Sequence, residues 1–205
     1  MPSDLTRTLL RSSWWAIVLG LVLEGLQLAA AAVAGAGTPG AASMLADTAQ
    51  KVSWSYIVCV ALACGTAATR GGPTAIGLLG ALAAPVAFGI ARAAHKGVAQ
   101  ALSVNLATGP SPWLLAGVKA AEYAVFGFVV TRLVRRPELR LPAYVRTGLV
   151  VGALFGAPLL WIMDSAAPQG LATPVLVSRG INELLFPVGC ACVLWSTSML
   201  ARRTG

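Results

Sequence analysis

Residues 74–97 read TAIGLLGALAAPVAFGIARAAHKG, and the first charge in this run is Arg92. A hydrocarbon core about 30 Å thick is crossed by a helix of roughly 20 apolar residues, which this stretch can supply. Five other stretches share its length and character: 13–36, 49–69, 112–133, 144–166 and 172–200. Glycine and proline punctuate the gaps between them, at Gly35 to Gly40, Arg70-Gly71-Gly72-Pro73, Gly109-Pro110, Pro137 to Pro142 and Pro168 to Gly170. The expected fold is all-α, a single integral-membrane domain over 1–205 built as a polytopic bundle of about six transmembrane helices.

The composition points the same way. Of 205 residues, 57% are apolar and 11% charged, and the mean hydropathy is +0.77. A soluble domain carries about a quarter charged residues, so a soluble enzyme is disfavoured. The net charge of +8 does not imply nucleic acid, whose binders line one face with basic and other polar groups. Here the basic residues sit in short clusters between apolar runs, and their distribution reports topology. One set of span ends holds Arg7, Arg11, Arg70, Arg132, Arg135, Arg136, Arg140, Arg146, Arg202 and Arg203. The other holds only Lys51, Arg92, Lys96, Lys119 and Arg179. By the positive-inside rule both termini are expected in the cytoplasm of a multi-pass cell-membrane protein. Residues 1–36 also have features of a signal peptide, but the apolar run exceeds the usual h-region of about 7–15 residues and contains Glu24.

Cys59, Cys64, Cys190 and Cys192 all lie inside apolar segments and read as structural thiols. With His95 the single histidine and no ligand cluster around the cysteines, no metal and no cofactor is expected.

The spans carry an internal pattern. Gly77 to Pro85 matches Gly148 to Pro158 with small gaps, and Lys51, Lys119 and Arg179 each open corresponding stretches of the second, fourth and sixth spans. The chain reads as three helical hairpins, parallel repeats about an axis normal to the membrane. Charges inside such spans cost about 2.5–3.5 kcal/mol each even on the lenient insertion scale, so each needs a reason. Glu24, Glu122 and Glu183 fall at similar depth near the midplane, and Asp164 lies nearer the outer surface, where Lys51, Lys119 and Arg179 form a ring of cations. Lys119 and Glu122 are i,i+3 and Arg179 and Glu183 are i,i+4, so each pair shares a helix face. The economical reading of one such pair is helix–helix glue. Four acids in the spans point to a polar cavity, with Trp54, Tyr123, Phe126, Trp161 and Phe186 within a turn or two of them. Pro187 follows Glu183 by four residues and is expected to free that residue's carbonyl and kink the helix.

Trp161-Ile162-Met163-Asp164 and Ile181-Asn182-Glu183-Leu184-Leu185-Phe186 resemble the motifs of the small membrane-embedded lycopene cyclases and related integral-membrane terpene cyclases, with Ala121 to Phe126 as a weaker second copy. The likeness covers some 30 residues. It implies a lipophilic isoprenoid substrate drawn from the membrane lipid and cyclised through a carbocation. Glu122 and Glu183 would serve as acid and base, in either order, with Asp164 and Glu24 assisting. A protonated carboxyl could protonate an alkene or epoxide, and the aromatic faces of Trp54, Tyr123, Phe126, Trp161 and Phe186 would stabilise the cation. The alternative drawn from the charges themselves is a small proton- or ion-coupled transporter or channel; a channel would need oligomerisation or an internal pore. A third is a membrane anchor for a partner subunit, which would tolerate loss of both Glu122 and Glu183.

Overall fold

The structure, a computed structural model, describes residues 4–37, 39–68, 72–104, 111–136 and 140–204. Arg70-Gly71, Gly109-Pro110 and Pro137 lie outside the described residues, as do the side chains of Arg202 and Arg203. Six helices and no strand make up the described chain: α1 (Asp4–Val33), α2 (Ala41–Ala68), α3 (Pro73–Ala101), α4 (Pro112–Val134), α5 (Leu141–Ser165) and α6 (Thr173–Thr204). Proline stands in the first turn of α3, α4 and α5, where its missing N–H would have had no helical partner. After α1, Gly35 takes φ +89°, the left-handed conformation that ends many helices.

Helices α1, α3, α4, α5 and α6 are long and apolar enough to cross a membrane. The second, α2, equals them in length with 28 residues, but Lys51, Ser53, Ser55 and Tyr56 lower its hydropathy. It also begins at Ala41, well before the expected residue 49. Hydropathy marks only the part of a helix that suits hydrocarbon, whereas the alanines of residues 41–50 favour helix among polar neighbours.

The helices form a ring in chain order, with α1 closing onto α6. Among the described residues α2, α4 and α6 touch one another, whereas α1, α3 and α5 each touch only their two even-numbered neighbours. The even helices are therefore an inner triangle and the odd helices an outer one. Glycines bring each outer helix close to its inner partner. A Cβ on Gly20 would meet Val52 and Ser55, one on Gly80 would fall on the Tyr123 carbonyl, and one on Gly152 would lie 2.8 Å from the Glu183 carbonyl oxygen. Similarly, Gly77 faces Phe128 and Gly148 faces Val188. With Lys51, Lys119 and Arg179 set in register, Ser55, Tyr123 and Glu183 are equivalent, so the same antiparallel hairpin contact recurs three times. The sparsest contact in the ring is between α4 and α5.

Inside the ring Val58, Leu62, Ile76, Tyr123, Phe126, Val130, Phe186 and Leu194 form one buried core. Outside, Leu78, Leu82, Val86 and Ile90 make an exposed stripe on α3, and Val150, Leu154 and Trp161 do so on α5. Apolar side chains on both faces of a helix mark one that has lipid on its outer side. Trp14 and Trp15 near one end of the bundle and Trp113 at the other are exposed, as an interfacial aromatic belt requires.

Candidate functional site

The inner triangle holds Lys119, Glu122 and Glu183, three of the buried charged side chains. Lys119 on α4 reaches two carboxylates at once: its Nζ donates to Glu122 Oε2 at 2.8 Å and, across to α6, forms a close ion pair with Glu183 Oε2. All three side chains are buried, Glu122 at 1% exposure. The helix supplies the first contact through its i,i+3 spacing. The second exists because Gly152 and Gly156 let α5 press against Glu183, fixing the part of α6 that faces α4.

Amides extend this triad toward α1. Asn182 Nδ2 donates to Glu183 Oε1 at 3.2 Å, Gln27 Nε2 donates to Asn182 Oδ1 at 2.8 Å, and the Ser178 hydroxyl donates to Gln27 Oε1 at 3.4 Å. One turn before Gln27, Glu24 forms a separate close ion pair with Lys51 of α2. Beneath Lys119 lies Trp54, its ring centroid 6.0 Å from Nζ. Trp54 meets Tyr123 at 5.7 Å, Phe186 at 6.0 Å and Phe88 at 6.5 Å, and Tyr123 meets Phe126 at 5.8 Å.

Comparison with family models, curated proteins and solved structures finds no match to the chain. The site is therefore read from its own chemistry.

The structure brings together most of the residues expected from the sequence. Lys119, Glu122, Glu183, Trp54, Tyr123, Phe126 and Phe186 share one centre, and Lys51 pairs with Glu24 separately, one turn of α1 from Gln27. Three stand apart. Trp161 is 70% exposed on the outer surface of α5. Asp164 accepts the Leu171 N–H at 2.7 Å, bracing the α5–α6 connection where Gly170 takes φ +71°. Arg179 directs Nη1 to the Met163 sulfur at 3.4 Å. Asp164→Ala should accordingly cost about 1 kcal/mol, the net worth of one such bond, seen as a small fall in the thermal midpoint. An unchanged midpoint would remove the bracing role.

Gln27, Ser178 and Phe88 were not among the expected residues. Gln27 could have been found as a second polar group one turn from Glu24 in an apolar run; Phe88 carries no such signal. Two open clefts of about 210 Å³ indent the bundle. One opens at the C-terminal ends of the inner helices, beside the start of α1, lined by Thr8, Thr66, Thr197 and Ser198 among others; the other lies between α1 and α6 at Trp15, Leu19 and Gly189. Glu24, Glu122, Asp164 and Glu183 line neither.

Chemically, the triad is one ammonium between two carboxylates. With all three ionised it carries one formal negative charge in a medium where unpaired charge is expensive. One added proton makes it neutral.

Proposed function

We propose that the chain is a proton-coupled carrier of the cell membrane, with both termini on the cytoplasmic side, and that Lys119, Glu122 and Glu183 form its proton site. The observation that carries this reading is the buried triad of one ammonium and two carboxylates, held by helices that face each other rather than the lipid, with Arg179 one turn from Glu183. Intramembrane acids that pair across such an interface are the usual parts of a proton path. A cleft at the C-terminal ends of the inner helices, lined in part by Thr66, Thr197 and Ser198, would serve as one mouth of that path. The orientation rests on the excess of arginine at the span ends near the N-terminus.

The aromatic cluster favours a second reading. Rings of Trp54, Tyr123, Phe126 and Phe186 packed beside the triad suit a terpenoid cyclase of the lycopene-cyclase type. There, Glu122 or Glu183 would donate a proton to the alkene or epoxide, the rings would stabilise the cation, and the other carboxylate would take the final proton.

Proteoliposomes containing a pH-sensitive dye separate the two. Offered amino acids, sugars, organic cations and weak-acid anions across a pH gradient, the wild-type chain should show solute-dependent proton movement. Glu122→Gln should reduce it to the level of empty vesicles. Proton movement with none of these solutes, from protein shown to be folded, would remove the carrier reading. A new lipid product of unchanged mass, in cells supplied with isoprenoid precursors, would then establish the cyclase.

A further inference from the structure

We infer that the exchangeable proton resides on Glu122 Oε1, and that Glu183 is kept as a fixed carboxylate by a directed hydrogen-bond chain from Ser178 through Gln27 and Asn182. This rests on the triad being the proton site proposed above, and it assigns the two carboxyls different roles.

An ionised carboxylate only accepts hydrogen bonds. Both oxygens of Glu183 do so: Oε2 from Lys119, and Oε1 from Asn182 Nδ2. The Asn182 amide uses its oxygen on the other side, accepting from Gln27 Nε2, and the Gln27 oxygen accepts in turn from Ser178. Each amide thus fixes the next. Turning Asn182 over would set its carbonyl against the Glu183 carboxylate and its NH2 against the NH2 of Gln27. A proton on Glu183 Oε1 would meet an N–H and would require every link of the chain to invert. Gln27 and Glu183 are buried, so unless both amides turn together, facing like partners loses the bond there and keeps the desolvation cost.

Glu122 has no comparable commitment. Its Oε2 accepts from Lys119, whereas Oε1 is buried with no hydrogen-bond partner among the described residues, as is the Tyr123 hydroxyl. A proton bonding to Oε1 breaks no existing hydrogen bond and takes the triad from one formal negative charge to none. The titratable and charged groups that act on this region are Lys119 and Tyr123 on α4, Glu183 and Cys190 on α6, and Cys59 on α2, with Arg179 acting on Glu183 from one turn earlier on α6. From α3 and α5, Gly80, Gly152 and Gly156 approach at this level. Ser178, Gln27 and Asn182 are positioning residues: they act on the proton through Glu183.

A membrane-soluble carbodiimide tests the assignment on the unaltered chain in lipid bilayers. The carboxyl O–H adds across its N=C=N group, carboxyl oxygen to carbon and proton to nitrogen, and peptide mass spectrometry locates the adduct. Modification is expected at Glu122, lost as the pH is raised, with Glu183 untouched. Asn182→Leu, which removes the donor at Glu183 Oε1, is expected to bring modification to Glu183. Adducts on Glu183 in place of Glu122, on both at the same rate, or on neither would overturn the assignment. An Asn182→Leu pattern identical to wild type would overturn the role of the amide chain. Glu122→Asp and Glu183→Asp keep the charges and give a second readout in infrared spectra. The protonated carboxyl band should shift only in the first; a shift only in the second would again overturn the assignment. None of these needs a transported solute. A chain modified at Glu122 that moves no proton keeps the assignment and loses the carrier; a chain that moves protons but is modified at Glu183 does the reverse.

Discussion

Lys119→Met should destabilise the protein by about 3–5 kcal/mol, the cost of breaking a buried ion pair from one side. The methionine would fill much of the volume of the lysine stem, so the loss would not be one of space. It would come from Glu122 and Glu183, which would face each other inside the bundle without the ammonium that each contacts. Unfolding in mixed detergent micelles would show the midpoint falling sharply. Combining Lys119→Met with Glu122→Gln and Glu183→Gln should recover most of the lost stability, because no unpaired ion is then buried, while proton movement stays absent. Lys119→Arg should recover only part, since a planar guanidinium cannot place one donor atom on both carboxylates as a compact ammonium does. If Lys119→Met unfolds at the wild-type midpoint, the triad is not the ionised cluster described above.

The second large effect is expected at Gly80. A methyl group there would coincide with the carbonyl oxygen of Tyr123, and backbone cannot rotate out of the way as a side chain can. Gly80→Ala should therefore cost about 1–3 kcal/mol, the range for overpacking. It should also reduce proton movement, because α4 can retreat only by carrying Glu122 and Tyr123 with it. Gly89→Ala is the control on the same helix: nothing lies within 4 Å of its added methyl, and alanine favours helix by up to about 1 kcal/mol. Equal midpoints for the two variants would mean that α3 and α4 are not in the close contact described.

Hydropathy was sufficient to locate the helices because a bilayer imposes length and apolarity together. It did not locate their ends, as residues 41–50 show, since helix formation continues where hydrocarbon does not. The pairing of Lys119 with Glu122 was legible as well, from the i,i+3 spacing, and Glu183 joins them through the same ammonium. Azimuth was not, because a residue count gives height along a helix and leaves its facing direction open. Glu24 consequently joins Lys51 rather than the other two acids. Trp161 illustrates what could have been recovered. Gly148, Gly152 and Gly156 repeat every four residues and mark the face of α5 that meets α6. The same face continues through Leu159 and Met163, both buried, and a residue two positions from each points the opposite way. Asp164 lies at the helix end, where a carboxylate meets free backbone N–H groups of the following turn, and its capping bond depends on a loop conformation that periodicity does not encode.

The threefold recurrence of the hairpin has a consequence for how such a centre can exist at all. Three identical subunits around one axis would present the same residue three times, so an acid on the axis would bring three like charges together. Joined in a single polypeptide, the copies are free to diverge. At the level of the triad they offer Trp54, Glu122 and Asn182 from one register position and Ser55, Tyr123 and Glu183 from the next. Of the three corresponding cations, Lys119 occupies the middle, Lys51 serves Glu24, and Arg179 turns to Met163. Covalent fusion thus allows a symmetric scaffold to hold an asymmetric interior, in which two chemically equal carboxyls are given unequal surroundings.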